Sequence, residues 1–199
     1  MEIVLPYDSE TTGLPLWKEP SEHPDQPHLV QLAALLVSAD TREIKDTMDI
    51  IVKPNGWVIP AEVTAIHGIS TERAMDEGIP EEEALVMFLD MHKKATLRIG
   101  HNQSFDARII RIAMKRYGYP DDDNDAWKEA PAECTGLLAK PIMQMLPKNR
   151  WGYKMPKLVE AYRHFIGEDL EDAHSALADT AACNAVYWAI QDHLKAAAA

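Results

Sequence analysis

The alternation of apolar runs and polar breaks along this chain predicts short strands first and a helix–strand alternation later. Residues 3–7 read as a strand, and a connection with Pro15, Pro20, Pro24 and Pro27 follows it. Residues 29–37 and 44–52 are apolar runs rich in strand-forming residues, and Ser38-Ala39-Asp40-Thr41-Arg42 between them predicts a hairpin. Pro54-Asn55-Gly56 predicts a turn, and residues 61–67 a short helix ended by Gly68. Residues 80–93 predict a helix, because Glu81-Glu82-Glu83 are favourable near a helix N-terminus. Residues 96–100 predict a short strand. Residues 104–117 predict a helix stopped by Gly118 and Pro120, with Phe105, Ile109 and Ile112 at helical spacing toward the core. Residues 158–165 and 175–193 complete the helices. This order predicts an α/β domain with a central mixed β-sheet flanked by α-helices. Pro6 lies inside the first strand and cannot donate to a ladder, which predicts a short or bulged strand there.

Three acidic islands punctuate this pattern. They are Asp8-Ser9-Glu10-Thr11-Thr12-Gly13, His101-Asn102-Gln103-Ser104-Phe105-Asp106 and His174-Ser175-Ala176-Leu177-Ala178-Asp179. Strand side chains repeat every two residues, so Asp8 and Glu10 share a face. Two carboxylates on one face repel unless a cation sits between them, and Mg²⁺ and Mn²⁺ prefer such oxygen ligands. At about 100° per residue, positions five apart lie roughly 140° apart on a helix. His174 and Asp179 therefore converge only if His174 precedes the helix and Asp179 lies in its early turns, with Ser175 as the N-cap. A histidine at that rim suits a proton acceptor better than a buried ligand, since imidazole ordinarily titrates near 6.5. Asp8, Glu10, Asp106 and Asp179 are thus the candidate metal ligands, and with His174 they form the candidate catalytic set. The chemistry that suits them is phosphodiester hydrolysis with two divalent ions. Singly, Asp8 and Glu10 also fit a strand-end turn, Asp106 a first-turn acid and His174 a surface histidine. Together the islands favour the catalytic reading.

The islands resemble the three exonuclease motifs of the DEDDh branch of DnaQ-like 3′-to-5′ exonucleases. Ile66-His67-Gly68-Ile69 resembles that family's His-Gly-Ile turn, and Cys134-Thr135 falls where the family has a pair ending in Thr. Lys154-Met155-Pro156-Lys157-Leu158 resembles the Lys-Leu-x-x-Leu stretch that opens its penultimate helix. The resemblance spans Asp8 to Asp179. It implies a ribonuclease H-like fold and hydrolysis from the 3′ end of single-stranded nucleic acid, with release of nucleoside 5′-monophosphates. It implies that Asp8, Glu10 and Asp179 hold one Mg²⁺ or Mn²⁺ ion, that Asp8 and Asp106 hold a second, and that His174 is the general base. Thr11, Thr12 and Leu14 resemble the terminal-nucleotide pocket, with Leu14 either a wedge against the last base or a core residue. His67 either fixes its loop or touches substrate. DNA is the favoured strand. The alternatives are an exoribonuclease or oligoribonuclease, a proofreading subunit of a polymerase, and a non-catalytic nucleic-acid-binding module. The intact acidic set argues against the last. The sequence ends soon after its last helix, which favours a free-standing enzyme, with a polymerase or a second copy as candidate partners.

Composition changes this picture little. A chain of 199 residues predicts a single exonuclease domain over 1–199, with a catalytic core of about 3–193. No apolar run approaches the roughly 20 residues that cross a bilayer. Two cysteines, Cys134 and Cys183, make neither a disulfide framework nor a zinc knuckle, and the N-terminus carries no secretion pattern. A cytoplasmic protein without a membrane partner is expected. Charge matters more. A formal charge of −12 is unusual for a protein that holds phosphate. Part of it is the acidic cluster, which bound metal would neutralise. Lys140, Lys148, Arg150, Lys154, Lys157 and Arg163 are opposed in their own stretch only by Glu160. They are expected to line a substrate path, with Lys154 and Lys157 as binding residues; the alternative is a solvated surface. His101 is expected to shape a helix entry rather than to catalyse. Asp121, Asp123 and Asp125 begin like a calcium loop, but Ala126 and Ala132 stand where Gly and Glu are required. An exposed acidic loop is expected there.

Overall fold

Residues 2–148, 150, 152–171 and 173–198 are described by the structure, a computed structural model. Among the described residues six strands form, β1 (Ile3–Thr11), β2 (Leu29–Ser38), β3 (Ile44–Lys53), β4 (Ile79–Pro80), β5 (Leu97–Gly100) and β6 (Ala132–Cys134). They make a single mixed sheet in the order β4-β3-β2-β1-β5-β6. The β1–β2 and β2–β3 pairs are antiparallel, and β5 pairs parallel with β1 and β6 with β5. The expected hairpin and the α/β class are both present. The helices are α1 (Ala61–His67), α2 (Thr71–Glu77), α3 (Glu81–His92), α4 (Gln103–Arg116), α5 (Asp121–Glu129), α6 (Thr135–Met143), α7 (Leu158–Ile166) and α8 (Ala176–Ala198). Among the described residues no helix is long and apolar enough to cross a membrane.

Period-two alternation splits β1 between two cores. Leu5 and Tyr7 join a cluster with Phe88 of α3, Ile109 of α4 and Trp127 of α5. Val4 joins Ile99, Cys183 and Tyr187 on the α8 side. Helices α6, α7 and α8 meet through Ala139, Ala161, Val186 and Ile190. With both faces covered, all ten residues of β2 are buried, as its apolar run, interrupted only by Gln31 before the closing Ser38, requires.

Two expectations are corrected. The strand containing Pro6 is neither short nor bulged at that residue. Pro6 pairs with Ile99 of β5, and the β2 register runs unchanged from Ile3↔Ser38 to Glu10↔Gln31. The irregularity lies later, between Glu10 and Thr11. The strand thus reaches Thr11 rather than Tyr7 and carries both motif acids. The second correction concerns Asp121, Asp123 and Asp125. They are exposed, but they lie in α5 after Pro120, the first two in its opening turn where the helix dipole favours acids, rather than in a loop. Gly68 does end α1, in the left-handed region at φ 74°.

Candidate active site

Three elements carry the acidic islands to the C-terminal end of β1. Asp8 and Glu10 lie at the strand's end, Asp106 in the first turn of α4, and Asp179 in the first turn of α8. Ser9, between the two strand acids, alternates to the opposite side and anchors Asp106. Its backbone N–H donates to Asp106 Oδ1 at 3.1 Å and its hydroxyl at 2.7 Å. On the other side, Gln31 of β2 stands opposite Glu10, and its Oε1 accepts the Ala176 N–H at 3.1 Å. Thr180 Oγ1 donates to Ala33 O, so the start of α8 is fixed on β2.

His174 precedes α8, as the spacing requires, and is exposed at φ 73°. Its backbone N–H donates to Asp179 Oδ2 at 3.2 Å, which orients that carboxylate. Side-chain ligand atoms of Glu10, His174 and Asp179 lie within 4.8 Å of one another.

The electrostatics separate these acids from an ordinary buried carboxylate. Glu81 is buried too, but it binds His28 and Arg116 at 2.9 and 3.0 Å and accepts the Leu29 N–H. Burial alone would raise its pKa, yet these partners, His28 and Arg116 foremost, bring it below the ordinary range. Asp8 has the opposite surroundings. Burial raises its pKa well above the usual value, and Asp106, Asp179 and Glu10 push it further. Glu10 rises to about 8 through burial and the Asp179 and Asp106 charges. Asp106 rises to about 7, burial outweighing the hydrogen bonds from Ser9. Burial also raises Asp179, whose Oδ1 is buried with no partner among the described residues. A set of oxygen donors that repel one another and form no ion pair with Lys or Arg among the described residues fits hard divalent ions. The residues present therefore suit the metal that the sequence implies.

The remaining sequence candidates divide. Thr11 and Leu14 line a cavity of about 360 Å³ with Glu10, Ile66, His67 and Phe105. Leu14 is 78% exposed there, so it is not a core residue. The hydroxyl of Thr12 accepts the His28 N–H, which closes the loop after β1. His67 lines this cavity and a second one, of about 590 Å³, shared with His174 and Asp49. Its Nδ1 accepts the Ile69 N–H at 3.1 Å, and its Nε2 has no partner among the described residues. Lys154 and Lys157 line neither cavity. Lys154 binds Glu160 at 2.6 Å, Arg163 binds Asp169, and Lys148 lies over the Tyr153 ring at 4.1 Å. The expected basic path is thus largely engaged in local contacts. His101 links the end of β5 to later segments, through Thr135 Oγ1 at 2.8 Å and Pro156 O at 2.9 Å. Sequence reading missed Ser9, Gln31 and Phe105. Alternation along β1 was a signal for Ser9 alone.

Comparison with known proteins agrees with this geometry. The RNase_T model, described as an exonuclease, matches residues 5–187. An uncharacterized exonuclease, CP81 of Escherichia phage 186, is 31% identical over 179 residues, covering 86% of this chain and 79% of that one. Escherichia coli exonuclease I in complex with a dT13 oligonucleotide superposes with a TM-score of 0.75 at 21% identity, over 98% of this chain and 42% of that one. A zinc-bound form of the same enzyme with single-stranded DNA gives 0.72 at 19% identity, over 97% and 41%. This chain therefore spans about two fifths of the exonuclease I chains and shares their fold.

Proposed function

The chain belongs to the RNase_T exonuclease family, and from that premise we propose that it hydrolyses single-stranded nucleic acid from the 3′ end, DNA in preference to RNA, releasing nucleoside 5′-monophosphates. The observation that carries this reading is the convergence of a buried Asp106 with half-buried Asp8, Glu10 and Asp179, none of them in an ion pair with Lys or Arg among the described residues, beside an exposed His174. Asp8, Glu10 and Asp179 would hold one divalent ion, and Asp8 with Asp106 a second. Bound there, such ions supply Lewis-acid stabilisation to the attacking and departing oxygens of an in-line displacement.

The chain's own groups supply the rest. His174 takes the proton of the attacking water on its ring nitrogen, from a position that leaves the ring open to solvent. The Ser9 N–H and hydroxyl hold the Asp106 carboxylate in place. The cavity beside Glu10 receives the terminal nucleotide, with Leu14 against its base. Because His67 Nδ1 accepts a backbone N–H, a neutral ring carries its proton on Nε2, a buried donor with no partner among the described residues, on a side chain that lines both cavities. Support for a DNA strand comes from the dT13 and dA16 oligonucleotides held by the exonuclease I structures of the same fold.

The test uses matched DNA and RNA strands, labelled at one end, with Mg²⁺ or Mn²⁺. DNA is expected to lose mononucleotides bearing a 5′-phosphate faster than RNA does. Faster release from RNA would move the assignment to an exoribonuclease. Products bearing a 3′-phosphate would contradict the assigned bond cleavage.

A further inference from the structure

A second charged pocket is walled by α4, α5, β5 and the loop after β1. Its volume is about 290 Å³, and Trp17, Arg98, Gln103, Arg108, Arg111 and Lys128 contribute to its walls. Four cations meet there, and no carboxylate stands among the described residues that line it. In a chain with 20 Lys and Arg against 32 Asp and Glu, that is a local inversion of the overall charge.

Arg98 is the decisive group. It projects from β5 and is 2% exposed. Its guanidinium stacks on the Trp127 ring at 3.8 Å, and Nη2 donates to Ala130 O at 2.7 Å. Burial disfavours its charge, the adjacent Tyr7 hydroxyl favours it, and Nε and Nη1 make no hydrogen bond of good geometry among the described residues. Arg108 Nε is likewise buried and unpartnered, with Glu22 as the acid whose charge reaches this side chain. A buried cation with unused donors is costly unless an anion meets it. A guanidinium fork matches phosphate oxygens two at a time.

The pocket is joined to the substrate cavity by one short loop. Leu14 lines that cavity and Trp17 lines this pocket, three residues and at most about 10 Å apart along the chain. Arg108 donates to Glu19 O and Arg111 to Ser21 Oγ, so the pocket's arginines also hold this loop in place. Trp17 is 58% exposed and offers a ring on which a base can stack.

We propose that Arg98, Arg108, Arg111 and Lys128 form a phosphate-binding site distinct from the acidic cluster. A backbone phosphate of the strand and a free nucleotide share this chemistry. The strand assignment rests on the proposed function; the phosphate site itself does not.

The experiment follows the Nε–H resonances of Arg98 and Arg108 by NMR while inorganic phosphate is added in EDTA at constant ionic strength. Both signals are expected to shift saturably. The R111Q/K128Q variant, at one half-buried and one exposed position, is expected to weaken binding about tenfold or more, from two lost charge-assisted contacts. Asp8→Asn is expected to leave phosphate binding unchanged. Absence of a saturable shift, or equal binding by R111Q/K128Q, overturns the site whether or not the chain cleaves nucleic acid. Two further arms identify the source. If an oligothymidylate binds more tightly than dTMP in EDTA, and R111Q/K128Q raises KM on long strands with kcat unchanged, the strand backbone occupies the site. If dTMP binds as tightly and KM does not move, the site serves a free nucleotide, and the phosphate assignment stands in either case.

Discussion

Replacing Glu10 by glutamine should stabilise the metal-free protein, and increasingly so as pH rises. Burial and the Asp179 and Asp106 charges raise the Glu10 carboxyl from 4.5 to about 8. A folded-state pKa above the unfolded one means that the fold holds the proton more tightly. The stability this lends is complete below about 4.5 and is lost as pH rises through about 8. At 1.36 kcal/mol per pKa unit, the loss between pH 5 and 8 is at most about 3.5 kcal/mol. Solvent in the partly open cleft screens this to roughly 2 kcal/mol. In a chain of this size each kcal/mol moves Tm by about 2–4 °C, so the Tm advantage of E10Q should grow by roughly 4–8 °C between pH 5 and 8 in EDTA. The difference between the proteins is the quantity to measure. His67, His92 and His101 are held below the ordinary histidine value by burial, so they add stability as pH rises and would mask the effect in wild type alone. They cancel in the difference. Adding Mn²⁺ should favour wild type by binding linkage and shrink or reverse the gap. Differential scanning fluorimetry reads all of this. A Tm difference that stays constant from pH 5 to 8 would refute the electrostatic reading of the cluster.

Other outcomes follow from the same geometry. Asp8→Ala or Asp179→Ala should slow hydrolysis at least ~10³-fold, through loss of several kcal/mol of metal-assisted stabilisation, while circular dichroism shows an intact fold. His174→Ala should lower single-turnover rates by roughly 10²–10⁴ and keep metal affinity. Because its ring lies within reach of Glu10 and Asp179, a loss of affinity instead would make it a ligand. Salt dependence should separate the two basic regions. For single strands the slope changes by about 0.7 per phosphate contact. K154Q/K157Q should alter it by less than that, since Lys154 is already paired with Glu160, whereas R111Q/K128Q should flatten it by up to about 1.4. Strand affinities at several salt concentrations in EDTA decide between them.

Much of this site could be read from local sequence because each motif acid sits where its own segment explains it. Alternation placed Asp8 and Glu10 together, and the five-residue spacing required His174 to precede α8. What stayed illegible was non-local or contrary to propensity. Strand β6 has three residues and exists only through its pairing with β5. Helix α6 contains Gly136 and Pro141, both poor helix formers, and forms with Ala139 packed into the core shared with α7 and α8. The acids opening α5 carry the same dipole signal as Glu81–Glu83 of α3, masked in the sequence by a spacing that also resembles a calcium loop. The basic pocket draws on Trp17, Arg98, Arg108, Arg111 and Lys128, from one loop, one strand and two helices, so no window of sequence contains it. The Lys148–Arg163 stretch shows the converse, a charge run visible in sequence in which Lys148, Lys154 and Arg163 have local partners.

The measurement closest to the centre of these conclusions is the shortening of a 5′-labelled single DNA strand across a Mn²⁺ titration that begins in EDTA. The clustered carboxylates predict an intact strand in EDTA. As metal is added, a ladder of products shortened stepwise from the 3′ end should appear and saturate. Shortening in EDTA would contradict a metal-dependent site built on Asp8, Glu10, Asp106 and Asp179, and immediate release of the 5′ label or internal cuts would contradict a 3′-end exonuclease.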